Sequence, residues 1–224
     1  MPVCVKGKIT IPDSITTIKE SAFSECSCIT DIVLPDNLKK ICRDAFYSCT
    51  GLDDIVIPDS VTSIGEGAFS DCSNLTNIVI SKNLKKIENS VFAGCSKLPK
   101  INIPNSVTYI GEEAFLDCSR LKNISIPDSV TKIRKAAFSG CTKLKSIIIP
   151  KGVKQLESSV FSNCSKLNNV VLQEGLEKIG SFAFFSCTDL TSLNIPSSIV
   201  SIASGAFCGC NNLMITVPAV LFDF

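Results

Sequence analysis

The chain has 224 residues, 45% of them hydrophobic and 19% charged, with a formal net charge of +1 and no histidine. Such a composition excludes a disordered chain, and the missing imidazole excludes Ser-His-Asp and Cys-His catalysis and any histidine-bearing metal site. No stretch approaches the ~18–20 continuous apolar residues of a membrane span.

The first ten residues, MPVCVKGKIT, lack the apolar core of a secretory signal and read as a short strand. By themselves they point to a cytoplasmic protein or to a piece of a longer one. From Ile11 to about Thr216 the chain then keeps a strict 23-residue step. Phe23, Phe46, Phe69, Phe92, Phe115, Phe138, Phe161, Phe184 and Phe207 follow it without insertion or deletion. So do Cys26, Cys49, Cys72, Cys95, Cys118, Cys141, Cys164, Cys187 and Cys210. A fixed period of this length marks a solenoid, in which each unit is one coil that stacks on its neighbours. With no Gly/Ser/Pro-rich linker in between, residues 1–224 are expected to form one domain of nine repeats, with 217–224 as a partial repeat or cap.

Residues 57–79, IPDSVTSIGEGAFSDCSNLTNIV, stand for the rest. Leu75, Ile78 and Ile80 have the spacing of a short strand with alternate residues inward, and Pro58 ends the preceding strand by withholding a donor. Val61 and Ile64 predict a second extended piece, and Gly65 a bend. Ala68 and Cys72, spaced i and i+4, predict one helical turn with both residues inward. One coil buries too little apolar surface to offset the ordering of its own backbone, so the coils must share their stability.

The pattern L-x-x-I-x-I-P-x-S-V-T-x-I-G-x-x-A-F-x-x-C, matched almost letter for letter at residues 98–118, 121–141 and 190–210, resembles the BspA-like leucine-rich repeats, a Treponema-type class. The resemblance covers nearly the whole chain. It implies a curved right-handed stack of short parallel strands, a protein-recognition role and frequent use in host-binding proteins on microbial surfaces. Departures are Ser81 and Gln173 in place of proline, and NLKKI at 37–41 and 83–87 in place of SVTxI, all expected at outward or turn positions.

Thirteen cysteines are an odd set in a chain rich in core formers, which favours reduced thiols over a disulfide framework. The nine in register read as small buried hydrophobes whose S–H serves a backbone carbonyl. Cys4, Cys28, Cys42 and Cys208 fall outside the ladder. Cys28 and Cys208 are expected at the surface, where oxidation would link chains. No phosphate loop, dinucleotide fingerprint or acidic metal loop occurs, so neither an enzyme nor a cofactor or metal site is expected.

Charge is segregated. Residues 1–80 carry 6 basic and 11 acidic side chains, residues 81–171 carry 15 and 6, and residues 172–224 carry 1 and 4. Lys97, Arg120, Lys143 and Lys166 occupy one repeat position, beside Lys100, Lys122 and Lys145, and form a candidate partner site for an acidic protein or a glycan. Lys40, Lys86, Lys132 and Lys178 repeat at alternate coils. Nucleic acid is disfavoured by acidic flanks and few aromatics. The outward strand positions, among them Asn77, Asn102, Asn123, Ser125, Ser146 and Asn169, are small and polar, with Tyr109, Val56, Val79, Ile148 and Val171 as anchors for a partner. The tail residues Val220, Leu221, Phe222 and Phe224 offer self-association through the C-terminal end. The expectation is a non-enzymatic protein-binding module, either a microbial surface adhesin or an intracellular scaffold that regulates an enzyme.

Overall fold

The period becomes a stack of coils in a computed structural model that describes residues 7–217. Each coil has three walls. The first is a three-residue strand, as at Asp54–Val56, Asn77–Val79 and Asn123–Ser125. Successive strands pair in parallel at the 23-residue step, Ile55 with Ile78 and Ile101 with Ile124. The second wall is a two-residue strand, as at Lys86–Ile87, Tyr109–Ile110 and Lys132–Ile133, again parallel and in register. Such short strands hold because one residue in each points inward: Ile55, Ile78, Ile110 and Ile133 are buried, and their neighbours face water.

The third wall corrects the expected helical turn. Ala68 to Cys72 is a run of turns, and its amides alternate in direction. The N–H groups of Gly67, Phe69 and Asp71 donate to the carbonyls of Asn89, Val91 and Ala93 in the next coil, at 3.0, 3.0 and 2.7 Å. Those of Ala68, Ser70 and Cys72 donate back to Gly65, Gly67 and Phe69 within the coil. A helix would send every N–H along its own axis. Here two left-handed residues per coil, Gly67 at φ 62° and Asp71 at φ 57°, turn alternate peptide planes toward the neighbour. The inward facing of Ala68 and Cys72 survives the change, since both are fully buried.

The core is a column. Phe46, Phe69, Phe92, Phe115, Phe138, Phe161 and Phe184 have no solvent exposure, and each ring stacks on the next at 5.2–6.0 Å between centroids. Phe23 and Phe207, on the end coils, are half-buried and stack on Phe46 and Phe184. Beside them the ladder thiols donate to the carbonyl of the Phe in the preceding coil: Cys95 to Phe69 at 3.2 Å, Cys118 to Phe92 at 3.1 Å and Cys164 to Phe138 at 3.1 Å. Ser81 is not at an outward position. It is fully buried, its hydroxyl donates to the Asp59 carbonyl at 3.3 Å and accepts from the Asn83 amide at 3.2 Å.

Candidate functional site

The outward residues of the first sheet fall into two columns, because residues on either side of the inward one share the outer face. One column runs Asp31, Asp54, Asn77, Lys100, Asn123, Ser146, Asn169 and Ser192. The other runs Val33, Val56, Val79, Asn102, Ser125, Ile148, Val171 and Asn194. Val56 and Ile148 are each 56% exposed and Val79 is 50% exposed, so these side chains contribute little to the core and form an apolar ladder open to solvent. A groove of about 570 Å³ follows the acidic end of this face, lined by Asp31, Val33, Asp54, Val56 and Asp59 among others. Val33 and this groove escape a residue-by-residue reading; the signal is the recurrence of Val at 33, 56 and 79 with Asp at 31 and 54.

The acidic residues there are already engaged. Lys8 pairs with Asp31 at 2.9 Å, Lys82 with Asp59 at 2.8 Å, and the Asn77 amide donates to Asp54 at 2.9 Å. The Lys82 hydrogen bonds hold the exposed Asp59 carboxyl below its ordinary range.

The eight basic and aromatic residues singled out by the sequence separate into distinct places. Lys122, Lys143, Lys145 and Lys166 converge on a cleft of about 450 Å³, completed by Asn168 and Asp189. The register brings them together, since Lys122 and Lys145 stand one coil apart, as do Lys143 and Lys166, at the entrance to the first-sheet strands. Lys97 and Arg120 continue the stripe outside the cleft, and Lys97 donates to Asn74 at 2.7 Å. Lys100 is on the first-sheet face, in a groove with Asn77, Val79 and Asn102. Tyr109 lies on the second sheet, paired in register with Lys86 and Lys132, and the Lys86 ammonium sits 5.7 Å from its ring centre. It therefore does not share a face with Val56 and Val79.

Among the described residues no group of three or more His, Cys, Asp or Glu could hold a metal, and no helix is long and apolar enough to cross a membrane. Burial pushes the thiols of Cys72, Cys95, Cys118 and Cys141 well up, and that of Cys164 up to about 12. These groups stay protonated and unreactive. Cys208 is exposed, while Cys28 and Cys42 are half-buried, so Cys28 is less open than its repeat position suggests. Cys4 and the apolar tail from 218 lie outside the described residues.

The BspA type leucine-rich repeat region matches residues 4–119 and 85–214, in six copies. The chain belongs to the BspA-type leucine-rich repeat family. Three solved structures share its fold. The T. pallidum leucine-rich repeat protein is 28% identical with a TM-score of 0.66, covering 96% of this chain and 85% of that one. A leucine-rich cell surface protein from Faecalibacterium prausnitzii is 27% identical with a TM-score of 0.55, covering 93% and 72%. The pneumococcal vaccine antigen PcpA is 24% identical with a TM-score of 0.65; it covers 94% of this chain, which spans 62% of that one. No curated protein matches the chain. BspA-type coils supply a scaffold for protein interaction, and the ladder of Phe and Cys is the inside of that scaffold.

Proposed function

We propose that this BspA-type solenoid binds a protein through the outer face of its first sheet and serves as the non-enzymatic interaction module of a microbial surface protein, an adhesin or part of one. The observation that carries the reading is the exposed apolar ladder of Val33, Val56 and Val79, resumed at Ile148 and Val171, on a sheet otherwise lined by Asn, Ser, Asp and Lys100. Apolar anchors within a polar rim are the composition of a protein-binding patch. A cell surface protein among the structural neighbours supports the setting.

A second reading, an intracellular scaffold or regulator of an enzyme, is favoured by the odd set of thirteen cysteines, of which Cys72, Cys95, Cys118, Cys141 and Cys164 are buried thiols that donate to backbone carbonyls. The two separate on one experiment: the immobilised chain is exposed in parallel to host matrix extract and to microbial cytosol. Retention of a matrix protein, lost in Val56→Asp/Ile148→Asp, supports the surface reading; retention of a cytosolic enzyme alone supports the scaffold. Self-association through the C-terminal end is a further proposal, motivated by Val200 and Met214, 74% and 73% exposed on the last coil. Sedimentation as a monomer at high concentration would dismiss it.

A further inference from the structure

The two lysine ladders are built differently. On the second sheet Lys40, Lys86, Lys132 and Lys178 alternate with Ser63, Tyr109 and Gln155, so like charges sit two strand spacings apart, about 9.6 Å. At the mouth of the first sheet the charges sit on consecutive coils, about 4.8 Å apart, where like charges repel. Lys166 is offset by Asp189 at 3.1 Å. Among the described residues Lys122, Lys143 and Lys145 form no ion pair, although all three are exposed and face one cleft. The spacing that relieves repulsion on one sheet is absent here.

We infer that the cleft of Lys122, Lys143, Lys145 and Lys166 holds a carboxylate-rich extended segment of the protein partner. This rests on the protein-binding reading above and assigns that partner's chemistry. Ammonium groups are point charges that take an oxyanion one oxygen at a time, and Arg120, whose fork would clamp one bidentately, lies outside the cleft. Asp189 at the rim repels a uniformly anionic polymer but tolerates a peptide of mixed charge. Lys145 and Asn168 of the cleft directly precede Ser146 and Asn169, which with the exposed Ile148 and Val171 offer hydrogen bonds to main chain and apolar contact to alternate side chains. In an extended segment, residues two apart lie about 6.7 Å apart on one side, so acidic residues at i and i+2 span adjacent coils.

The test uses a fluorescein-labelled octapeptide of alternating glutamate and valine, the same peptide with lysine for glutamate, and a heparin octasaccharide. The intact chain is expected to bind the glutamate peptide at least 10-fold more tightly than the lysine peptide. Lys122→Glu/Lys145→Glu abolishes that binding, whereas Lys86→Glu/Lys132→Glu, an equal charge change on the second sheet, alters it less than twofold. Lys122→Gln/Lys145→Gln serves if the reversal disturbs folding, read by thermal unfolding, and is expected to weaken binding at least fivefold. Equal losses from both lysine pairs, or tighter binding of the octasaccharide in competition, overturn the inference. Absence of peptide binding while a protein is still captured through Val56 and Ile148 overturns the cleft alone; loss of both overturns the protein-binding reading with it.

Discussion

The thiol of Cys118 donates a hydrogen bond of 3.1 Å to the carbonyl of Phe92, 26 residues earlier and one coil away, and the same bond recurs along the stack. It is the second hydrogen bond to that carbonyl, which also accepts from the Cys95 amide at 3.2 Å, inside a region closed to water. Replacing Cys118 with Ala removes one of the two donors to that carbonyl, which should cost about 0.5–1.5 kcal/mol in urea unfolding. Cys208→Ala, at an exposed site, should change stability by less than about 0.5 kcal/mol.

Because burial raises the thiols of Cys72, Cys95, Cys118, Cys141 and Cys164, the fold binds their protons more tightly than the unfolded chain does. Their contribution is complete below the unfolded thiol pKa, about 8.5, and falls as pH rises toward the raised folded values. Between those two values each loses up to about 1.4 kcal/mol per pH unit, and the losses of these five thiols add. Unfolding curves from pH 7 to 10 should show steep alkaline destabilisation. In the native state at pH 8, iodoacetamide should label Cys208 and spare Cys72, Cys95, Cys118, Cys141 and Cys164; labelling of Cys118 at the same rate contradicts the account.

Stacked rings couple the coils. Phe115, fully buried between Phe92 and Phe138 at 5.5 and 5.2 Å, should cost about 3–5 kcal/mol when cut to Ala. Phe207, half-buried on the last coil, has one stacked neighbour among the described residues, so its Ala variant should lose less than half as much. Denaturant titration of both variants checks the ranking.

The left-handed positions give a contrast between adjacent residues. Glu113 has φ 57° at the repeat position that Gly67 and Gly205 also occupy, and a side chain is strained there by about 1–2 kcal/mol. Glu113→Gly relieves that strain and should leave stability unchanged or raised by up to about 1 kcal/mol. Ala114→Gly, next to it at a buried position without positive φ, should lose about 1 kcal/mol or more. Equal losses at the two sites would contradict the alternating turn wall.

Much of this architecture is legible because the period is strict. A side chain repeated nine times at one step has the same surroundings nine times, so Phe69 and Cys72 declare the core, and Ile78 and Ile64 the strand walls. The turn wall was not legible, since Ala68 and Cys72 face inward both in a helical turn and in a zigzag with two left-handed residues. What separates the two is where the Phe69 and Asp71 amides point, which depends on the next coil. Tyr109 sits elsewhere for a related reason: the chain turns a corner between the two strands of a coil, so a half-buried aromatic near Asn102 in sequence belongs to another wall. The convergence of Lys122 with Lys145 follows from register alone, and so does the pairing of Lys166 with Asp189 one 23-residue step on.

The most direct test of a protein-binding first sheet is site-specific photo-crosslinking. A benzophenone side chain is placed at Val79, Ser125 or Ile148 on the first sheet, and at Lys86, Lys132 or Gln155 on the second. The account predicts that the first three positions yield the same cross-linked polypeptide from partner-containing extract, and that the purified polypeptide reproduces the adduct. Adducts arising from the second-sheet positions alone, or from none of the six, would contradict it.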